Sequence, residues 1–202
     1  AGDDEIRARA LVLLIGERAA AGKLAEASAA VDAAGAVVER VGGKAGRLGA
    51  DLLVARANLT QTRGDYPGAI ELQRQAVAWF AAADPPDPVA SAEVRITLVQ
   101  YLLSLRRDDE AAVELTGASA DFERALGPDH PQMGNFLAQR ATLERERGDL
   151  DAAGRDVTAA IALIERTAGK DHFLLLDALY EQGYLAYEHH DWAGMLAAYQ
   201  PG

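Results

Sequence analysis

Apolar residues recur along this chain at intervals of three and four, with polar residues between them. Leu52, Leu53, Ala57 and Leu59 are one such set. This is the period of an amphipathic helix, not the alternation of a half-buried strand. The periodic stretches are interrupted by breaks of two kinds, which alternate. The first kind is a short motif: Ala21-Gly22-Lys23-Leu24, Arg63-Gly64-Asp65-Tyr66 and Arg147-Gly148-Asp149-Leu150. Arg106-Arg107-Asp108-Asp109 and His189-His190-Asp191-Trp192 are degenerate copies. With the turn residues taken as 22, 64, 107, 148 and 190, the spacings are 42, 43, 41 and 42. Gly at the turn supplies the left-handed conformation that ends a helix. The apolar residue two places on (Leu24, Tyr66, Leu150, Trp192) can close the hairpin interior. Five places on stand Ala27, Ala69, Ala112 and Ala153, then Met195. A small residue there lets two helix backbones approach closely. Each unit therefore reads as helix, tight turn, helix.

The second kind of break separates units. Gly127-Pro128-Asp129-His130-Pro131 is matched 42 residues later by Gly169-Lys170-Asp171-His172-Phe173. Ala83-Asp84-Pro85-Pro86-Asp87-Pro88 and Val41-Gly42-Gly43-Lys44-Ala45-Gly46 fill the same slot earlier. Pro and Gly end one helix and Asp starts the next. The first helices are predicted near 5–21, 46–63, 88–106, 130–147 and 173–189. The second helices are predicted near 24–41, 67–83, 110–126, 151–167 and 193–200. Arg107 and Asp109 in the third unit replace the Gly and the apolar residue, and Gln100 takes the small-residue position of its first helix. A looser third hairpin or a different turn geometry is expected there.

These motifs resemble the tetratricopeptide repeat (TPR), in the 42-residue form typical of kinesin light chains, and the resemblance covers essentially the whole chain. The Gly-Pro-Asp-His-Pro linker at 127–131 is its most specific mark. The resemblance implies an all-α, right-handed superhelical solenoid of about five hairpins. The expected repeats are 1–42, 43–84, 85–127, 128–169 and a partial one at 170–202, in a single array. The stretch from Val41-Gly42-Gly43 through Leu52–Ala57, followed by Arg63-Gly64-Asp65-Tyr66, is also similar to repeat arrays that follow the kinase domain of bacterial serine/threonine protein kinases. No kinase motif is present in the chain itself. Ala1 opens the sequence without an initiator Met, so a piece of a larger protein or a processed product is expected.

The same resemblance says which first-helix positions face the concave side. Carried over from each turn, they are Asp51, Val54, Asn58 and Gln61, then Val94, Thr97, Tyr101 and Ser104, in the second and third units. In the fourth and fifth they are Asn135, Ala138, Thr142 and Arg145, then Asp177, Tyr180, Tyr184 and Tyr187. Steps of three or four residues keep each set on one helix face. Asn and Gln can bond an extended peptide backbone, and Tyr offers large contact area at low entropic cost. The expected partner-binding residues are Asn58, Gln61, Thr97, Tyr101, Asn135, Thr142, Arg145, Tyr180, Tyr184 and Tyr187. Arg145 is the one basic member of the set, which argues against a clamp for a C-terminal carboxylate.

Charge narrows the partner. The formal net charge is −11, and residues 101–202 hold 18 of the 31 Asp and Glu but 9 of the 20 Lys and Arg. Such a surface repels phosphate backbones and anionic membranes, so neither nucleic acid nor a membrane is an expected partner. A neutral or basic protein or peptide is. Cysteine is absent, which removes thiolate chemistry and fits a reducing, cytoplasmic setting. Arg outnumbers Lys 17 to 3, the composition of a GC-rich bacterial genome.

Candidate chemistry is thin. Gly42-Gly43-Lys44 is not a phosphate loop, because Val38 and Ala45 stand where Gly and Ser or Thr are needed. His189 and His190 are adjacent and point about 100° apart on a helix, which suits a turn better than a shared metal ion. His130 and His172 occupy equivalent linker sites and are expected to cap and pack against the next helix. No nucleophile elbow, metalloprotease motif or carboxylate pair is present. The expectation is no enzyme, no metal and no cofactor, but an interaction module, the regulatory or recruitment region of a bacterial serine/threonine kinase. Its alternatives are a free-standing adaptor and a module that self-associates through an open C-terminal end.

Overall fold

A computed structural model describes residues 2–40, 46–83 and 85–198. These form ten helices: α1 (Gly2–Ala20), α2 (Leu24–Arg40), α3 (Arg47–Thr62), α4 (Tyr66–Ala82), α5 (Pro88–Ser104), α6 (Asp108–Leu126), α7 (Gln132–Glu146), α8 (Leu150–Ala168), α9 (Leu175–Glu188) and α10 (Trp192–Ala198). There is no strand among the described residues. The helices fall within a few residues of the periods read from the sequence. Most of the linker at 41–46, including the rejected Gly42-Gly43-Lys44 motif, lies outside the described residues, as do Asp84 and positions 199–200.

The chain divides into two compact units, Ala1–Tyr101 and Leu102–Gly202. The first contains α1 to α4 and most of α5. The second contains the end of α5 and α6 to α10. In unit 1 one apolar core joins α1, α2 and α3 through Ile15, Ala27, Ala34, Leu52 and Leu59. A second joins α3, α4 and α5 through Ala50, Ala76, Phe80, Ala90 and Val94. In unit 2 the core joins α7, α8 and α9 through Ala141, Ala153, Val157 and Leu185. Ala27, Ala69, Ala111 and Ala153 are all fully buried.

The five tight turns share one hydrogen-bond pattern. Gly64 N–H donates to Gln61 C=O at 2.8 Å and Asp65 N–H to Thr60 C=O at 3.2 Å. The same pair of bonds closes the turns at Gly22, Gly148 and His190, and in the third at Arg106, whose N–H donates to Leu103 while Arg107 N–H donates to Leu102. This is the Schellman ending, in which the residue after the helix is left-handed. Gly22, Gly64 and Gly148 have φ of 72°, 85° and 85°, and Arg106 and His190 both have φ of 57°.

This corrects the register of the third unit. Its turn residue is Arg106, not Arg107, so the five turns stand at 22, 64, 106, 148 and 190, a constant period of 42. The buried alanine five places on is Ala111, not Ala112. The small-residue position of the first helix is filled by Val99, fully buried, while Gln100 is exposed. The third turn is not looser; it adopts the same geometry with a strained residue. A Cβ at Gly148 would meet nothing within 4 Å, so a substitution there costs only backbone conformation. Gly148→Ala should lower stability by about 1 kcal/mol, and His190→Gly should raise it by a similar or smaller amount. Urea midpoints of the two variants against the parent check both signs.

Capping completes the turns. Asp65 Oδ1 accepts from Gly68 N–H at 2.9 Å, Asp149 Oδ1 from Ala152 N–H at 3.0 Å and Asp191 Oδ1 from Gly194 N–H at 3.0 Å. Pro67 sits in the first turn of α4, where its missing N–H is no loss. In unit 2, Arg147 reaches across to Asp108 C=O at 3.2 Å and to the Asp109 carboxylate at 2.9 Å. Arg63, one repeat period earlier twice over, does the same in unit 1, bonding Leu24 C=O and the Ser28 hydroxyl. His130 and His172 are equivalent: each Nδ1 accepts from the backbone N–H two residues on, Gln132 at 3.2 Å and Leu174 at 3.3 Å.

Candidate functional site

Within unit 1 the first helices of successive hairpins put one face side by side. In unit 1 this produces a concavity of about 950 Å³ walled by α1, α3 and the N-terminal part of α5. Its floor is apolar: Val12 and Leu13 from α1, Val54 and Leu59 from α3, Val94 from α5 and Phe80 from α4 behind them. Leu13 is 76% exposed, large for a leucine on a packed helix. The polar residues are Glu5 and Arg9, Arg47, Asp51 and Asn58, and Glu93 and Thr97.

Of the positions expected from the sequence, Asp51, Val54, Asn58, Val94 and Thr97 line this concavity. Tyr101 is 8% exposed. Its hydroxyl donates to Asn58 Oδ1 at 2.9 Å, and its ring meets Tyr66 edge-on at 6.0 Å between centroids. Burial pushes the Tyr101 phenol above its ordinary range, so it stays a donor. Gln61 is half-buried and donates to Tyr66 at 3.1 Å. Gln73 Nε2 also reaches Asn58 Oδ1, at 3.4 Å. The Asn58 carbonyl oxygen is therefore occupied, and its amide nitrogen is left with two donors at the concavity.

The α1 wall was absent from the sequence expectation, although the signal was there. The same alignment applied to Gly22 names Arg9, Val12, Gly16 and Ala19, and all four line the concavity. Applied to Arg106, it names Glu93, Ile96, Gln100 and Leu103 in place of Val94, Thr97, Tyr101 and Ser104. Of the corrected set Glu93 is on the wall, and Ile96 is buried.

Unit 2 is built differently. Thr142 and Arg145 on α7 both turn to Glu181 on α9. Arg145 Nε pairs with one Glu181 oxygen at 2.5 Å and Thr142 donates to the other at 3.1 Å. The Glu181 side chain is 5% exposed and that of Arg145 16%. The Arg145 guanidinium also lies over the Tyr184 ring, 5.1 Å from its centroid. Asn135 is half-buried, with an Oδ1 that accepts from no described residue. Ala138 is buried. Tyr180 and Tyr184 meet edge-on at 4.9 Å with their hydroxyls 3.2 Å apart, and Tyr187 packs on Trp192 at 5.6 Å. Tyr180, Tyr184 and Tyr187 are 55%, 38% and 52% exposed, so α9 presents an aromatic stripe. Nothing in the sequence of either helix marked Glu181 as the partner of Arg145.

Among the described residues no group of three His, Cys, Asp or Glu side chains could hold a metal ion, and no helix is long and apolar enough to cross a membrane.

No family model matches the chain, and no curated protein does. Solved structures do. The chain is similar to BtubC (BKLC) from P. vanneervenii, with a TM-score of 0.79 and 18% identity, over 98% of this chain and 81% of that one. A Podosopora anserina putative kinesin light chain with nearly identical TPR-like repeats gives 0.72 and 17%, over 95% and 91%. PilF of Pseudomonas aeruginosa gives 0.66 and 18%, over 98% and 75%. At such identities the likeness is one of fold, and the fold is that of a TPR-like helical-repeat protein.

Proposed function

We propose that the chain is a protein-interaction module that holds a peptide or a protein segment on its first-helix faces, beginning with the concavity of unit 1. The observation that carries this is Asn58. Two donors hold its carbonyl oxygen, which orients its amide group as a donor to a ligand carbonyl, beside the half-buried Val12 and Val54 and the exposed Leu13. An amide donor beside apolar pockets is the arrangement that binds extended backbone with a few anchoring side chains. The aromatic stripe of Tyr180, Tyr184 and Tyr187 is a second contact surface of the same kind.

A random peptide library displayed on phage and panned against the full chain tests the reading. Selected peptides should lose binding severalfold to Asn58→Ala and Leu13→Gln, and keep it with Glu71→Ala on the outward-facing α4. Tyr180→Ala, at a ring 55% exposed, should weaken any ligand that reaches α9, whereas Tyr184→Ala would also remove the ring that lies under the Arg145 guanidinium. Tyr101 is a poor probe, because its burial couples binding to folding. Peptides indifferent to Asn58 and Leu13 but sensitive to Glu71 put the interface on the outer helices instead.

The finer assignment, a regulatory or recruitment region of a bacterial serine/threonine kinase acting in the cytoplasm, rests on the sequence resemblance alone. A kinase domain encoded upstream in the same reading frame supports it; an unrelated frame leaves a free-standing adaptor. Self-association is a competing reading, favoured by exposed Trp192 and Leu196 on α10, at 54% and 59%. Light scattering over a range of concentrations decides it: a constant monomer mass removes it.

A further inference from the structure

We infer that the concavity of unit 1 takes a segment in which an apolar side chain stands next to a Lys or Arg, the apolar group against Val12, Leu13 and Val54 and the cation beside Asp51 and Glu93. The inference rests on the groove reading above and adds the chemistry of the occupant.

The charges on the walls lead to it. Three carboxylates and two guanidinium groups line the concavity. Arg9 is bound to Glu5 at 2.7 Å. Arg47 is bound to Asp87 at 2.5 Å and approaches Asp51 only to 3.9 Å. Both cations thus have carboxylate partners already. Glu93, exposed on α5, forms no ion pair among the described residues. A net negative field is left over Asp51 and Glu93, on the two helices that flank the apolar floor. In a concave site with low-dielectric walls such a field is focused rather than dispersed.

Asp51 adds an energetic argument. Burial raises its carboxyl above the ordinary value of 3.8, and Arg47 and Arg9 only partly offset this. An acid whose folded-state pKa lies above its unfolded value costs stability, so the cost is absent well below pH 3.8, grows as pH rises from there to the folded pKa and is full above it. Asn in its place would remove the cost. A half-buried carboxylate kept at the expense of the fold, facing an open apolar concavity, fits a cation binder. Acidic segments and phosphate-bearing polymers are repelled by the same field. A second copy of this chain, at −11, is repelled as well.

The probes are synthetic copies of the most enriched library peptide in three versions, with Lys or Arg, Ser or Gln, or Asp or Glu at the positions flanking its apolar anchor. Each is titrated against the full chain at low and high salt. The basic version should bind about tenfold tighter than the neutral one at low salt, and the acidic one more weakly than either. Salt should erase most of the difference. Asp51→Asn combined with Glu93→Gln should abolish the preference while leaving the neutral peptide's affinity unchanged, and Asp51→Asn alone should melt no lower than the parent. Equal affinity for the three versions, or a preference that survives the double variant, overturns the cation site. The groove reading then still stands provided Leu13→Gln weakens all three alike. If Leu13→Gln and Asn58→Ala change none of them, the groove reading falls and takes this inference with it.

Discussion

Replacing Ala153 by Trp should unfold unit 2, and Ala69→Trp should do the same to unit 1. Both alanines are fully buried. Ala153 lies in the core where α8 meets α7 and α9, against Ala141, Val157 and Leu185. A small side chain there sets the distance between helix backbones. Overpacking a tight core commonly costs about 1–3 kcal/mol, and an indole placed between two backbones belongs at or beyond the upper end. A unit of this size shifts by roughly 4–8 °C per kcal/mol, so a fall of about 10–20 °C in melting temperature, or loss of the transition, is expected. The third repeat offers an internal control. Ala111→Trp should be as damaging as Ala153→Trp, whereas Ala112→Trp, at a half-exposed position one residue on, should cost under about 1 kcal/mol. Thermal unfolding followed by circular dichroism separates them. The reverse order would put the third turn back at Arg107, and an Ala153→Trp variant melting within a degree or two of the parent would show that these helices are not in close contact.

The hairpins were legible because their information is local. Each turn carries its own stop signal, a left-handed residue, and three of the five carry a start signal as well, the aspartates Asp65, Asp149 and Asp191 that cap the next helix. Where the Gly was lost the signal blurred. In Arg106-Arg107-Asp108-Asp109 no residue type marks the left-handed position, and the reading slipped by one. On a helix a slip of one residue turns a side chain by about 100°. That is why Tyr101 was read onto the concave face and is found beneath Asn58, and why Glu93 went unnamed. The α1 wall is legible from Gly22 by the same offsets. The remainder was beyond any local pattern. Arg145 and Glu181 are 36 residues apart on different helices, and their meeting depends on how α7 and α9 pack. The pairing of Arg47 with Asp87, 40 residues on, has the same character, whereas Arg9 and Glu5 are a local pair four residues apart on α1.

Arg145→Ala should cost unit 2 about 3 kcal/mol. The sequence places Arg145 and Thr142 on a contact face, while in the structure both are bound to Glu181. Glu181 is 4% exposed, so its carboxylate has given up nearly all hydration. The pair is sustained by the 2.5 Å contact with Arg145, by Thr142, and by the Tyr184 ring under the guanidinium. Removing one partner of such a pair typically costs about 3–5 kcal/mol, because the other is left buried and charged. The lower end applies here, since Thr142 still donates and Arg145 is itself 16% exposed. Arg145→Lys should recover only part of the loss, because an ammonium cannot place a planar fork on the carboxylate and on Tyr184 together. Replacing both partners, Arg145→Met with Glu181→Leu, should be far less damaging than Arg145→Ala, since no charge is left without a partner. Urea denaturation of the three variants reads the differences directly. Near-parental stability of Arg145→Ala would mean that Glu181 is hydrated or differently paired, and Arg145 would then be available to a ligand as the sequence alone suggests.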